Sequence, residues 1–144
     1  MNLELRRGIG DIRLGMSEAD LVALLGPPKL KRKNFLRQDE LMYDFLIVAL
    51  SPDSHVAEIS ATRNAEVTYN GRKLFVDPTL WRELIMQEPS PREYAGTIVL
   101  PSLQLSLSGF HDHDPSQLSA TVFAKGHWDA LLPKSKPFHL QDGK

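Results

Sequence analysis

The segment GMSEADLVALLGPP, residues 15–28, encodes a helix whose start and stop are both legible. Ser17 offers a side-chain oxygen to the backbone N–H of Asp20. Glu18 and Asp20 sit where a helix end is positive, and Gly26 followed by two prolines forbids continuation. Such a helix runs about two and a half turns, too few to persist alone in water. Its stripe of Leu21, Val22, Leu24 and Leu25 must therefore be covered, and the cover that the following residues supply is a sheet.

After Pro28 the sequence predicts a basic loop containing Lys29, Lys31, Arg32, Lys33 and Arg37. Residues 41–50, with Tyr43, Phe45, Ile47 and Val48, read as one buried strand, and Ser51-Pro52-Asp53-Ser54 supplies turn chemistry. The chain then returns as a strand over 56–62, with Ala57, Ile59 and Ala61 on one side and Glu58, Ser60 and Thr62 on the other. Residues 67–75 read as a small hairpin turned at Asn70-Gly71, a pair that tolerates the positive φ of a tight turn.

The order then begins again. Asp77 as N-cap and Pro78 in the first turn open a second helix with Trp81, Leu84 and Ile85 on its apolar side, and Pro89 and Pro91 end it. Residues 98–108 predict a strand and 109–116 a polar turn. A further strand over 117–124 turns Leu118, Ala120 and Val122 inward and Gln117, Ser119, Thr121 and Phe123 outward. Ile59-Ser60-Ala61-Thr62 is echoed by Leu118-Ser119-Ala120-Thr121. Two helix-then-hairpin units, about sixty residues apart, predict a tandem repeat with halves at about 8–75 and 76–132 inside a single domain spanning 1–144. The expected fold class is α+β: one antiparallel sheet with two short helices on one face. Trp128, Leu131, Leu132 and Phe138 are expected to cover a sheet end before a polar finish that frays.

Composition narrows the function. The 144 residues carry 42% hydrophobic and 24% charged side chains, enough for one sizeable core. With 17 basic against 18 acidic side chains the net charge is −1, which provides no general field for nucleic acid or an anionic membrane. The absence of cysteine removes disulfides, thiolate metal sites and a Cys nucleophile together and suits a reducing compartment, so the expected location is cytoplasmic. The opening MNLELRRGIGDIRLGM has no signal-peptide apolar core, and the apolar run at 45–50 is far too short to span a bilayer.

Few residues assemble chemistry. His111-Asp112-His113-Asp114 offers two imidazoles and two carboxylates, so a small metal-dependent hydrolase or sensor using His111 and His113 is one candidate function. A solvated turn is the other reading of the same residues. The serines lie in no Gly-x-Ser-x-Gly elbow, no Walker loop occurs, and Gly8-x-Gly10 lacks the third glycine of a dinucleotide site. Asp39, Glu40, Glu83, Glu88 and Glu93 read as solvated carboxylates. The basic run with Phe35 among its cations suits RNA, an acidic protein or plain solvated surface. Trp128 beside His127 is either an exposed anchor or a core cap. No catalytic residue, cofactor or metal is expected.

The remaining candidate is the sheet face left uncovered by the helices. Glu58, Ser60, Thr62, Gln104, Ser106, Ser108, Gln117, Ser119 and Thr121 should project from it. Strands lose little entropy on binding and twist curves their surface, so such a face suits another protein. The candidate partner-binding residues are Glu58, Ser60, Thr62, Gln104, Ser106, Ser119 and Thr121, with Asp112 and Asp114 of the HDHD turn adding charge, alongside Asp53, against a basic cleft.

GIGDIRLGMSEADLVALLGPP, followed by the strand pair and VTYNGRKLF, resembles the small immunity proteins of bacterial toxin–immunity systems, including those that guard against polymorphic or type VI secreted effectors. The shared pattern is a short lead-in, Leu14-Gly15-Met16-Ser17, a short helix, Leu25-Gly26-Pro27-Pro28, then strands and a Tyr69-Asn70-Gly71 segment. The unit is also similar to the small lipoproteins of outer-membrane assembly and, in tandem, to the β-lactamase inhibitor protein. The close match covers residues 8–28 and a looser one runs to Phe75, while the second half matches in element order.

The resemblance implies an inhibitor that occupies a toxin's active site or docks beside it, with no catalysis of its own. It carries no binding residue over, because interfaces in such proteins differ from pair to pair. The alternative of an envelope assembly scaffold goes with an export signal and a lipidated cysteine, neither of which this sequence contains. The expectation is a cytoplasmic binding protein, monomer or homodimer, whose partner is a cognate toxin rather than nucleic acid or membrane.

Overall fold

The computed structural model describes residues 1–140; the polar finish at 141–144 lies outside them. The chain opens with a small antiparallel meander, β1 (Leu3–Glu4), β2 (Gly8–Ile9) and β3 (Ile12–Arg13), and continues into α1 (Glu18–Leu25). Four strands follow: β4 (Leu30–Lys33), β5 (Asp39–Met42), β6 (Leu46–Leu50) and β7 (Val56–Thr62). A two-stranded ribbon, β8 (Thr68–Tyr69) and β9 (Arg72–Lys73), leads to α2 (Leu80–Met86). Then come β10 (Arg92–Tyr94), β11 (Thr97–Leu100), β12 (Leu105–Ser108), β13 (Ser119–Phe123) and finally β14 (Lys136–Pro137).

Among the described residues nine strands form one antiparallel sheet in the order β14-β10-β11-β12-β13-β7-β6-β5-β4. The fold is thus α+β, dominated by antiparallel sheet, with two short helices. The two runs of four strands meet at β7 and β13, where Thr62 faces Ser119, Ala61 faces Ala120 and Ser60 faces Thr121.

The pleat sorts side chains to two faces. Leu41, Val48, Ile59, Val122, Leu105 and Leu100 stand in register across β5, β6, β7, β13, β12 and β11. They share one buried cluster with Leu21 of α1, with Leu80, Trp81, Leu84 and Ile85 of α2, and with Leu3, Ile9 and Ile12 of the meander. Each fully buried Leu or Ile of this kind stabilises the fold by roughly 1.5–3 kcal/mol.

The start and stop signals of the first helix hold in detail. Ser17 accepts the Asp20 N–H at 3.1 Å, and Gly26 takes φ 84° while its N–H reaches the Val22 carbonyl at 2.7 Å. The apolar stripe is narrower than expected, because Leu24 is 43% exposed while Leu21 is buried. Asp77 does cap the second helix, but from further back. Its Oδ1 accepts the N–H groups of Thr79 at 2.9 Å and Leu80 at 3.0 Å, so the helix begins at Leu80. The ribbon turns at Asn70-Gly71, both at positive φ, as the sequence predicts.

Three expectations are corrected. Residues 41–50 are not one strand, because the chain reverses at 43–45, where Tyr43 N–H bonds the Leu46 carbonyl and the Tyr43 hydroxyl donates to the Gly26 carbonyl at 3.0 Å. The basic stretch is not a loop. Lys31, Arg32 and Lys33 lie in the exposed edge strand β4, paired to Glu18, Glu40 and Asp39, where lysine and arginine discourage another chain from adding to the edge. The strand expected over 98–108 breaks into β11 and β12, since Pro101 lacks the N–H a ladder needs and opens a single 3₁₀ turn.

Candidate functional site

The β4–β5 turn at 34–38 and the β10–β11 turn at 95–96 lie at diagonally opposite corners of the sheet, as the register places them. Right-handed twist raises one diagonal pair of corners toward the same side. Both turns accordingly line one cleft of about 260 Å³ on the face opposite Ile59 and Val122.

Each turn is set locally. Asn34 Oδ1 accepts the N–H groups of Leu36 at 2.9 Å and Gln38 at 3.0 Å, which pins the first tip and carries Phe35 outward, 81% exposed. Ala95 and Gly96 both take positive φ, the two-residue turn that suits twisted strands.

Between the tips runs the segment after β13. The Ala124 N–H bonds the Ala57 carbonyl at 2.8 Å, and the chain then turns so that Trp128 stacks on Phe123. Glu58 receives this segment. Its Oε1 accepts the Trp128 indole N–H at 3.1 Å, and His127 Nε2 lies 3.0 Å from its Oε2. Gln38 Nε2 is 2.7 Å from the same imidazole nitrogen. The Gln38 amide oxygen accepts from Asn34 Nδ2 at 2.8 Å, which turns its nitrogen toward the ring. Next to this network Glu40 accepts from Arg32 Nε at 3.1 Å and from Asn34 Nδ2 at 3.2 Å. The cleft therefore joins aromatic side chains, Phe35, Tyr94 and Trp128, to the carboxylates Glu40 and Glu58.

The expected binding residues fare differently. Ser60, Thr62, Ser119 and Thr121 are half-buried on the cleft face, with the hydroxyls of Ser60 and Thr121 2.7 Å apart. Glu58 is on that face too, but its carboxylate is engaged by His127 and Trp128 and is not a free projecting charge. Ser106 is only 3% exposed, a small side chain sunk between β11 and β13. Gln104 lies on no strand; it follows the 3₁₀ turn at φ 54° and donates through Nε2 to the Phe123 carbonyl at 3.0 Å.

The HDHD turn stands apart from the cleft. Asp112 is exposed, and Asp114 accepts the N–H of Ser116 at 3.1 Å and its hydroxyl at 2.6 Å. The two histidines meet different surroundings: His111 packs edge-on to Phe138 and near Glu93, whereas His113 borders a shallow hollow with Phe75, Val76 and Trp81. Among the described residues no group of three or more His, Asp or Glu is placed to hold a metal ion. No described helix is long and apolar enough to cross a membrane.

Sequence reading singled out Phe35 and Trp128 separately, and Leu131 only as cover for a sheet end, but not Gln38 or Tyr94, and nothing local shows that these residues meet. Comparison with protein families, curated proteins and solved structures returns no match to this chain.

Proposed function

We propose that this chain is a binding protein of the immunity type, which neutralises a cognate bacterial toxin in the cytoplasm by direct contact and performs no catalysis. The observation that carries the reading is the cleft, where an 81% exposed Phe35 stands beside Trp128 and Tyr94 on a rigid curved sheet. Aromatic anchors held by a scaffold of strands are what protein interfaces concentrate their binding energy in. The half-buried hydroxyls of Ser60, Thr62, Ser119 and Thr121 extend the same face as a hydrogen-bonding floor.

The reading includes a tandem origin. Ala61 opposite Ala120 is the one place where the echoed segments pair with themselves, so a two-fold relation about that point exchanges β4–β7 with β10–β13 and one cleft-lining tip with the other. Fusion of two such units makes the curved face broad enough for a macromolecule.

The test is co-expression with a secreted toxin encoded directly beside this chain. Co-purification and rescue of growth are expected, with both weakened at least tenfold by Ser119→Arg or Phe35→Ala at unchanged melting temperature. Rescue and complex formation that survive both substitutions would move the interface elsewhere.

A further inference from the structure

We propose that the cleft receives an arginine side chain of the partner protein, its guanidinium lying against the aromatic walls and donating to Glu58. The inference rests on the reading that this face docks a protein, and it names the chemistry that enters.

The walls come first. Trp128 is held parallel to Phe123 with its indole N–H committed to Glu58, so its ring is fixed in position and its donor is already used. Phe35 and Tyr94 add two further flat apolar surfaces at the same cleft. Flat apolar walls favour a planar, weakly hydrated cation, and they resist the compact, strongly hydrated ammonium of lysine.

Charge decides the rest. Both oxygens of Glu40 are taken, one by the Arg32 guanidinium and the other by Asn34. Glu58 is different: its side chain is 14% exposed and its partners are an indole and an imidazole. Among the described residues it forms no salt bridge with a lysine or arginine. Each of its oxygens keeps a second lone pair for a further donor. A ligand that brings donors and a positive charge completes this site, and one that brings acceptors is repelled. The volume of about 260 Å³ corresponds to roughly nine waters of liquid and accommodates the heavy atoms of one arginine side chain.

The experiment titrates the isotopically labelled full chain with N-acetyl-arginine methylamide, and in parallel with the lysine and citrulline analogues, and reads the two indole N–H resonances. A saturable shift of the Trp128 indole is expected while the buried Trp81 stays still. Citrulline, which has the shape without the charge, should bind about tenfold more weakly, as should arginine to Glu58→Gln. Phe35→Ala, at an exposed tip, keeps the test open should Glu58→Gln fail to fold, and it is expected to weaken arginine binding several-fold. Equal response to arginine and citrulline, or a response indifferent to Phe35→Ala, overturns the proposal. A silent Trp128 in a protein whose toxin capture is abolished by Ser119→Arg overturns this inference alone. Toxin capture that ignores Ser119→Arg and Phe35→Ala overturns the docking reading and this inference with it.

Discussion

Trp128 lies flat on Phe123, their ring centroids 4.8 Å apart and their planes 8° from parallel, on the face of the sheet opposite Ile59 and Val122. The stack and the indole bond to Glu58 fasten the segment after β13 across one end of that face. Trp128→Ala removes both contacts and is expected to lower unfolding free energy by about 3 kcal/mol in urea denaturation. Trp128→Phe keeps a ring and loses the donor, so a loss of about 1 kcal/mol is expected. Equal losses in the two variants would assign the whole effect to the hydrogen bond.

Glu88 is a second tie of this kind, hidden among residues that read as solvated. It is buried, and its Oε1 accepts the N–H and the hydroxyl of Ser102, each at 2.8 Å, at the start of the 3₁₀ turn between β11 and β12. Its Oε2 accepts the Ser90 N–H at 3.2 Å. Glu88→Ala leaves these donors without a partner and should cost about 2–3 kcal/mol. Glu88→Gln retains one acceptor and should cost less. A thermal melt of Glu88→Ala that matches the parent would show that the turn has no need of the carboxylate.

Acid should destabilise the protein in a defined window. Arg72 holds Asp77 well below the usual carboxylate range, with the Thr79 N–H adding to the effect, and it lowers Glu83 as well. Lys33 lowers Asp39, and the Ser51 hydroxyl lowers Asp53. A carboxylate whose folded value lies below its unfolded one binds more protons when unfolded. Its stabilising contribution is therefore complete above about pH 4 and is lost as pH falls through the folded value. Melting temperature is expected to be flat near neutrality on this account and to fall steadily below about pH 4. Arg72→Gln should lower the neutral plateau and flatten the acid limb, so that the two curves converge. Parallel acid limbs would remove Arg72 from the explanation.

Gly26 and Gly109 share φ 84° but not their surroundings. A Cβ at Gly26 meets nothing within 4 Å, whereas one at Gly109 meets the Leu118 N at 2.6 Å and the Asp114 carbonyl oxygen at 2.7 Å. Gly26→Ala should cost only the strain of a backbone conformation (φ 84°, ψ −177°) that is essentially glycine's own, about 1–3 kcal/mol. Gly109→Ala adds a clash with backbone that cannot step aside and should cost clearly more. Similar denaturation midpoints for the two would mean that the 109–118 loop yields freely.

What the sequence revealed was mostly local. The Ser17 cap, the Gly26 stop and the Asn70-Gly71 turn depend on residues a few positions apart, and the same physics acts on them in a peptide and in the fold. The alternation of Ile59, Ser60, Ala61 and Thr62 likewise marks two faces before any partner strand is known. The basic stretch misled because its strand comes from pairing with β5, and four exposed residues carry no alternation to announce it. Residues 41–50 misled in the opposite way, since a run that is apolar except for Asp44 conceals a turn held by contacts to Gly26 and Leu46.

The chain alone therefore determined the cap and the stop of the first short helix, and that β7 and β13 each have an apolar and a polar side. Only the tertiary structure decided what the polar side became. Glu58 and Trp128 stand seventy positions apart, and Phe35 and Tyr94 sit on hairpins that no local signal links. It is the twist accumulated over nine strands that brings those two corners together, a property of the whole sheet that resides in none of its residues.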